Sequence, residues 1–161
     1  MTRLILTALC VVAAAAAAAA KPASLEIAGR WQGPNYRMAA LAPDCGEGKC
    51  KLTLDIVRCA EGWCGIEVGD DNSCGATALK MDAGEAGGGS TVFKGRLALA
   101  QGTEPYVIQA YLIPASDDDS ERLEFEGDTG GEFRAFRRSF PFSAHLVRAG
   151  EAHCRSEKPV S

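Results

Sequence analysis

The chain has 161 residues, seventeen of them basic and twenty-one acidic, for a formal net charge of −4. That acidic balance argues against nucleic acid as the main partner, and beyond the first twenty residues no apolar run is long enough to span a bilayer as a helix. About 140 residues then remain, enough for one domain and too few for two separate cores.

Residues 1–20 carry one basic side chain, Arg3, then an apolar run over 4–12 broken by Thr7, then alanine throughout 13–20. This is the pattern of a secretory signal peptide, with the small residues Ala18 and Ala20 placing cleavage after Ala20. A retained membrane anchor is the competing reading, but polyalanine is only weakly hydrophobic. A lipid anchor on Cys10 is opposed by the bulky Leu9 before it. The expected product is a single domain over 21–161, with no stable membrane anchor, in a periplasmic or secreted location. Such compartments are oxidising, so the six cysteines beyond the leader, Cys45, Cys50, Cys59, Cys64, Cys74 and Cys154, are expected to pair as three disulfides. No C-x-x-C spacing points to zinc or redox chemistry, and neither metal nor cofactor is expected. The absence of Asn-x-Ser/Thr and the Ala- and Gly-heavy composition suit a bacterial exported protein.

Period-two alternation, the mark of half-buried strands, recurs along the mature chain. It predicts strands over 25–33, 51–58, 63–68, 75–81, 91–100, 106–113, 122–127 and 140–148. In the second, Leu52, Leu54 and Ile56 face one way and Lys51, Thr53 and Asp55 the other. In the third, Cys64, Ile66 and Val68 share a face, and the four residues between Cys59 and Cys64 are expected to form the hairpin loop, with Gly62 at positive φ. Segments 69–73, 84–90 and 116–120 read as turns or loops. Pro34 and Pro141 are placed at strand ends or links. Residues 131–138 stay ambiguous between a helical turn and a strand lead-in. The fold class is all-β: an antiparallel meander of about eight strands, disulfide-braced, closing into a barrel, with a β-sandwich as the alternative.

Gly29-Arg30-Trp31 resembles the Gly-x-Trp opening of lipocalin-like barrels, and the resemblance implies a Trp closing one barrel end with Arg148 stacked over it. The run from Ile56 to Gly65, with its Cys-x4-Cys-Gly hairpin, is similar to secreted bacterial barrels of unknown function. Trp31 also reads simply as a large core residue, and both readings bury it.

Six cysteines allow fifteen connectivities. Local geometry favours Cys59–Cys64 and Cys45–Cys50, leaving Cys74–Cys154, while Cys64–Cys74 is an alternative. His145 is expected on the outer face of the last strand with Ser143 and Val147, and no nucleophile elbow supports a Ser-His-acid site. His153-Cys154 would be a metal or thiol pair only with a free Cys154. The acids Asp117, Asp118, Asp119, Glu121, Asp70 and Asp71 lack calcium-loop spacing and read as solvated turns. Phe133, Arg134, Phe136, Arg137 and Arg138 interleave aromatics with cations and are candidates for gripping an anionic ligand or an acidic protein. The leading functional expectation is a binding protein, without catalysis, for a small apolar ligand held among inward positions such as Leu52, Leu54, Leu97, Leu99 and Ile108. The alternative is an inhibitor or interaction protein presenting a disulfide-stapled loop to a protein target, and a hydrolase stands third.

Overall fold

Alternation converts into structure most cleanly where one face is wholly apolar. In a computed structural model describing residues 26–37, 50–99, 104–117, 119–130 and 139–155, the strands are β1 (Gly29–Arg37), β2 (Lys51–Cys59), β3 (Gly62–Val68), β4 (Cys74–Met81), β5 (Glu85–Gly87), β6 (Ser90–Leu97), β7 (Tyr106–Ile113), β8 (Arg122–Asp128) and β9 (Pro141–Gly150). Each pairs antiparallel with its neighbours in the order β4-β3-β2-β1-β9-β8-β7-β6-β5, and β4 also pairs with β6. Eight strands therefore close into a barrel, which leaves the sandwich alternative aside and removes the open edges of an isolated sheet.

Several boundaries differ from the sequence-based expectation: β6, expected over 91–100, ends at Leu97, and β9, expected over 140–148, runs to Gly150. β1 starts later and runs on through Pro34 to Arg37. The proline is tolerated because the Asn35 amide donates to the Cys50 carbonyl on the β2 side, so the missing Pro34 donor belongs to the β9 side. There the β1–β9 pairing steps from Gln32 to Asn35. The β2–β3 turn is shorter than expected: Cys59 pairs with Gly62, leaving two residues, Ala60 and Glu61, in the turn. Gly62 has a positive φ of 142°. Segment 84–90, read as loop, contains β5, whose Gly87 pairs with Ser90 across Gly88 and Gly89. Those two glycines have φ of 60° and 87°, the backbone a two-residue hairpin turn demands.

The interior is filled by Trp31, Leu54, Ile56, Leu79, Phe93, Leu97, Ile108, Leu112, Leu123, Phe125 and Leu146, all essentially inaccessible to solvent. Leu99 packs against this core while partly buried. A second apolar cluster joins Ile66, Val68 and Cys154, with Val57 against it. Val57 and Asp55 lie opposite Cys64 and Ile66, whereas the core residue Ile56 lies opposite Gly65. Cys64, Ile66 and Val68 thus do share a face, but it is the outer one. A strap formed by the residues after β9 covers it.

Two chemical devices hold that strap. Cys154 is bonded to Cys74 across a sequence separation of 80. Asp55, fully buried, accepts from the His153 and Cys154 amides, both at 2.8 Å, and from Arg30 Nε at 2.7 Å and Arg30 Nη2 at 2.9 Å. The outward position expected for Asp55 is correct, but solvent exposure does not follow from it. The Cys59–Cys64 bridge clamps the β2–β3 hairpin. Cys50 is also disulfide-bonded, and Cys45, the partner expected for it, lies outside the described residues. Such bridges mark an oxidising, extracytoplasmic environment.

Candidate functional site

Strand direction sorts the chain's chemistry to the two ends of the barrel. β1 begins, and β9 finishes, at the end where β2 turns into β3 and β7 leads into β8. At this first end Trp31 is completely buried, and its indole Nε1 donates to the Ile27 carbonyl at 2.8 Å. The Arg148 guanidinium lies 4.5 Å above the Trp31 ring. It donates from Nε to the Glu121 carboxylate, from Nη1 to the Ala28 carbonyl and from Nη2 to the Glu26 carbonyl. With Ile27 packed into the core as well, the segment entering β1 is tied across the end as a plug.

Arg148 makes this plug by combining three roles: a flat cation on an indole face, an ion pair, and two bonds to backbone carbonyls that no strand would satisfy. A lysine supplies the charge without the planar fork. Arg148→Lys is therefore expected to cost about 1–2 kcal/mol and to change tryptophan fluorescence, both readable in one thermal melt followed by emission.

At the opposite end, where β1 and β8 finish and β7 and β9 begin, the inward residues include Asn35, Leu97, Tyr106 and Phe142, all buried. The Tyr106 and Phe142 rings are 4.9 Å apart and tilted by 33°. Asn35 lies opposite Ala144, a core residue. It is 3% exposed, and neither its Oδ1 nor its Nδ2 finds a hydrogen-bond partner among the described residues. The Trp63 Nε1, packed against the same core, is also buried without a partner among the described residues, and since leaving a buried polar atom unpaired costs about 1–3 kcal/mol, both groups are destabilising elements of the interior.

The sequence-derived candidates distribute unevenly around this frame. Trp31 and Arg148 come together at the plugged end. Phe133, Arg134, Phe136, Arg137, Arg138 and Asp118 lie outside the described residues. His145 stands on the outer face with its side chain 58% exposed and Nδ1 3.8 Å from Glu124 Oε1. His153 is exposed at the side-chain level and serves the fold through its backbone amide, while Cys154 is occupied by its bridge. Asp119 and Glu124 flank Arg122 at 3.2 and 3.0 Å. Asp71 accepts from the Ser73 side chain and amide, which holds its carboxyl below the ordinary aspartate value. These are turn-forming contacts on the surface.

Two polar residues escaped the sequence reading. Asn35 follows a proline, which marked the position as a link and hid its inward place in β1. Asp55 sits at an outward strand position, and the segment that buries it comes 98 and 99 residues later in the chain. Alternation within a strand carries no signal for either. Set beside family models, curated proteins and solved structures, the chain finds no match, and its own residues carry the functional reading.

Proposed function

We propose that the protein is an exported, lipocalin-like binding protein of the periplasm or the extracellular space that takes a small, largely apolar ligand and performs no chemistry on it. The observation that carries this reading is the closed barrel with a continuous apolar interior in which the Asn35 amide is buried without a partner. One end is tied shut by Trp31, Arg148 and Ile27. Among the described residues at the other end, Tyr106 and Phe142 pack ring against ring and the Asn35 amide is buried without a partner. Small barrels hold ligands in this way, with an apolar wall and a few polar groups that orient the guest.

A second reading draws on the β2–β3 hairpin, where the Cys59–Cys64 bridge rigidifies a turn whose Ala60 and Glu61 are exposed. Arg58 adds to that rigidity by stacking 4.6 Å from the Trp63 ring. A preorganised projection of this kind suits an inhibitor or interaction protein docking on a protein target.

Native mass spectrometry on protein purified from the exported fraction separates the two. A small molecule released on denaturation is the result expected of a carrier. A bare chain at the mass of the bridged protein overturns the carrier reading and turns attention to the hairpin.

A further inference from the structure

The outer surface of β6, β7 and β8 carries charge that neither the core nor the strap uses. Core residues alternate with outward ones, so Lys94 and Arg96 leave β6, Val107 and Gln109 leave β7, and Glu126 and Asp128 leave β8. Strand register sorts them into rows: Arg96, Val107 and Asp128 in one, Lys94, Gln109 and Glu126 in the next. The surface is therefore basic along β6, uncharged along β7 and acidic along β8. Lys94, Arg96, Val107, Gln109 and Glu126 are exposed, Val107 to 51%. No ion pair among the described residues engages Lys94, Arg96, Glu126 or Asp128. Asp128 accepts from the Gly130 amide, and the acid nearest Lys94, Asp82, accepts from the Lys94 and Gly84 amides. Lys80 of β4 lies directly opposite Arg96, a like-charge pairing that weakens the sheet it belongs to.

We propose that this surface is a contact between two copies of the chain. A two-fold axis lying along β7, in the plane between the copies, keeps the rows in step and exchanges the two sides of the strand. The β6 of one copy then faces the β8 of the other. Lys94 meets the partner's Glu126 and Arg96 meets the partner's Asp128, each twice, while Val107 and Gln109 meet their own counterparts on the axis. An axis running across the strands would instead set cation on cation and acid on acid, so the charge pattern selects the first orientation. Packed sheets lie about 10 Å apart, a gap that long Lys, Arg and Glu side chains bridge from both sides. A barrel is convex, which limits the contact to about three strands and places it at the small end of protein interfaces. The association is accordingly weak, reversible and governed by ionic strength. It involves neither the barrel interior nor the β2–β3 hairpin, and it goes beyond both readings above.

Sedimentation velocity over a concentration series of the purified protein tests this. Wild type is expected to dimerise in about 0.05 M sodium chloride and at least ten-fold more weakly in about 0.5 M, where screening shortens the reach of each charge. Lys94→Glu/Arg96→Glu makes the surface acidic on both sides, and Glu126→Lys/Asp128→Lys makes it basic on both. Each variant is expected to be monomeric alone, and the two mixed in equal amounts are expected to form a heterodimer at least as tight as the wild-type dimer. That recovery would also show that both variants fold. If Asp128→Lys disturbs the turn at Gly130, the single changes Lys94→Glu and Glu126→Lys repeat the test without it. A wild type that stays monomeric at every concentration and salt overturns the proposal. So does a dimer that persists undiminished in either variant alone, or a folded pair of variants that does not associate on mixing.

Discussion

Removing the Cys74–Cys154 bridge is expected to lower the melting temperature by on the order of 15 °C, well beyond the effect of removing Cys59–Cys64. The two bridges close segments of very different length, with sequence separations of 80 and 5. In the chain-entropy treatment, a loop of the first size is worth about 4–5 kcal/mol and one of the second about 2 kcal/mol. A packing loss adds to the first, because Cys154 belongs to the apolar cluster with Ile66 and Val68. Without the bond, the strap is held chiefly by its two amide bonds to Asp55. The comparison is made by calorimetry on Cys74→Ser/Cys154→Ser and on Cys59→Ser/Cys64→Ser. Equal losses would mean that the strap stays in place without its bridge.

Asp55→Asn is expected to cost about 3–4 kcal/mol, the range for breaking a buried, hydrogen-bonded ion pair by changing one partner. The carboxylate receives four donors: two from Arg30 and one each from His153 and Cys154. An asparagine has one acceptor oxygen, and its NH2 group would be set against a donor. Because this change and the loss of Cys154 loosen the same strap, the two are expected to combine with less than additive effect in a double-mutant cycle.

The same contacts give the Asp55 effect a pH signature. Burial pushes the carboxyl up, but the Arg30 side chain and the Cys154 and His153 amides outweigh it, so the group titrates below its ordinary value. A carboxyl depressed on folding contributes stability that is fully present above its unfolded value, about 3.9, and is lost as pH falls through the folded value. Wild-type stability should therefore decline below about pH 4, and Asp55→Asn should show a shallower decline in urea melts across that range. Parallel curves for the two proteins would remove Asp55 from the account.

How much was legible depended on whether a residue's partner lay nearby in sequence. β7 was readable to its end residues, because Tyr106, Ile108, Ala110 and Leu112 alternate with positions that leave the core. β5 was not, because three residues between glycines carry too little alternation to outweigh turn composition. β3 misled in a different way. Its Ile66 and Val68 look inward by hydropathy, yet they pack under a strap contributed by the far end of the chain. The Trp31–Arg148 stack was accessible through resemblance, since neither residue predicts the other by spacing.

The all-β class, approximate strand count and the pairing of Cys59 with Cys64 are written in local patterns: alternation with period two, turn residues and a short cysteine spacing. Those patterns report what each segment does to its own neighbours, and they need no knowledge of where the rest of the chain lies. Closure of β4 onto β6, the outer apolar face under the strap, the burial of Asp55 and the unpaired amide of Asn35 arose only when distant segments met. Burial is a property of whatever covers a residue, and in this protein the covering atoms come from sequence positions a hundred residues away and more.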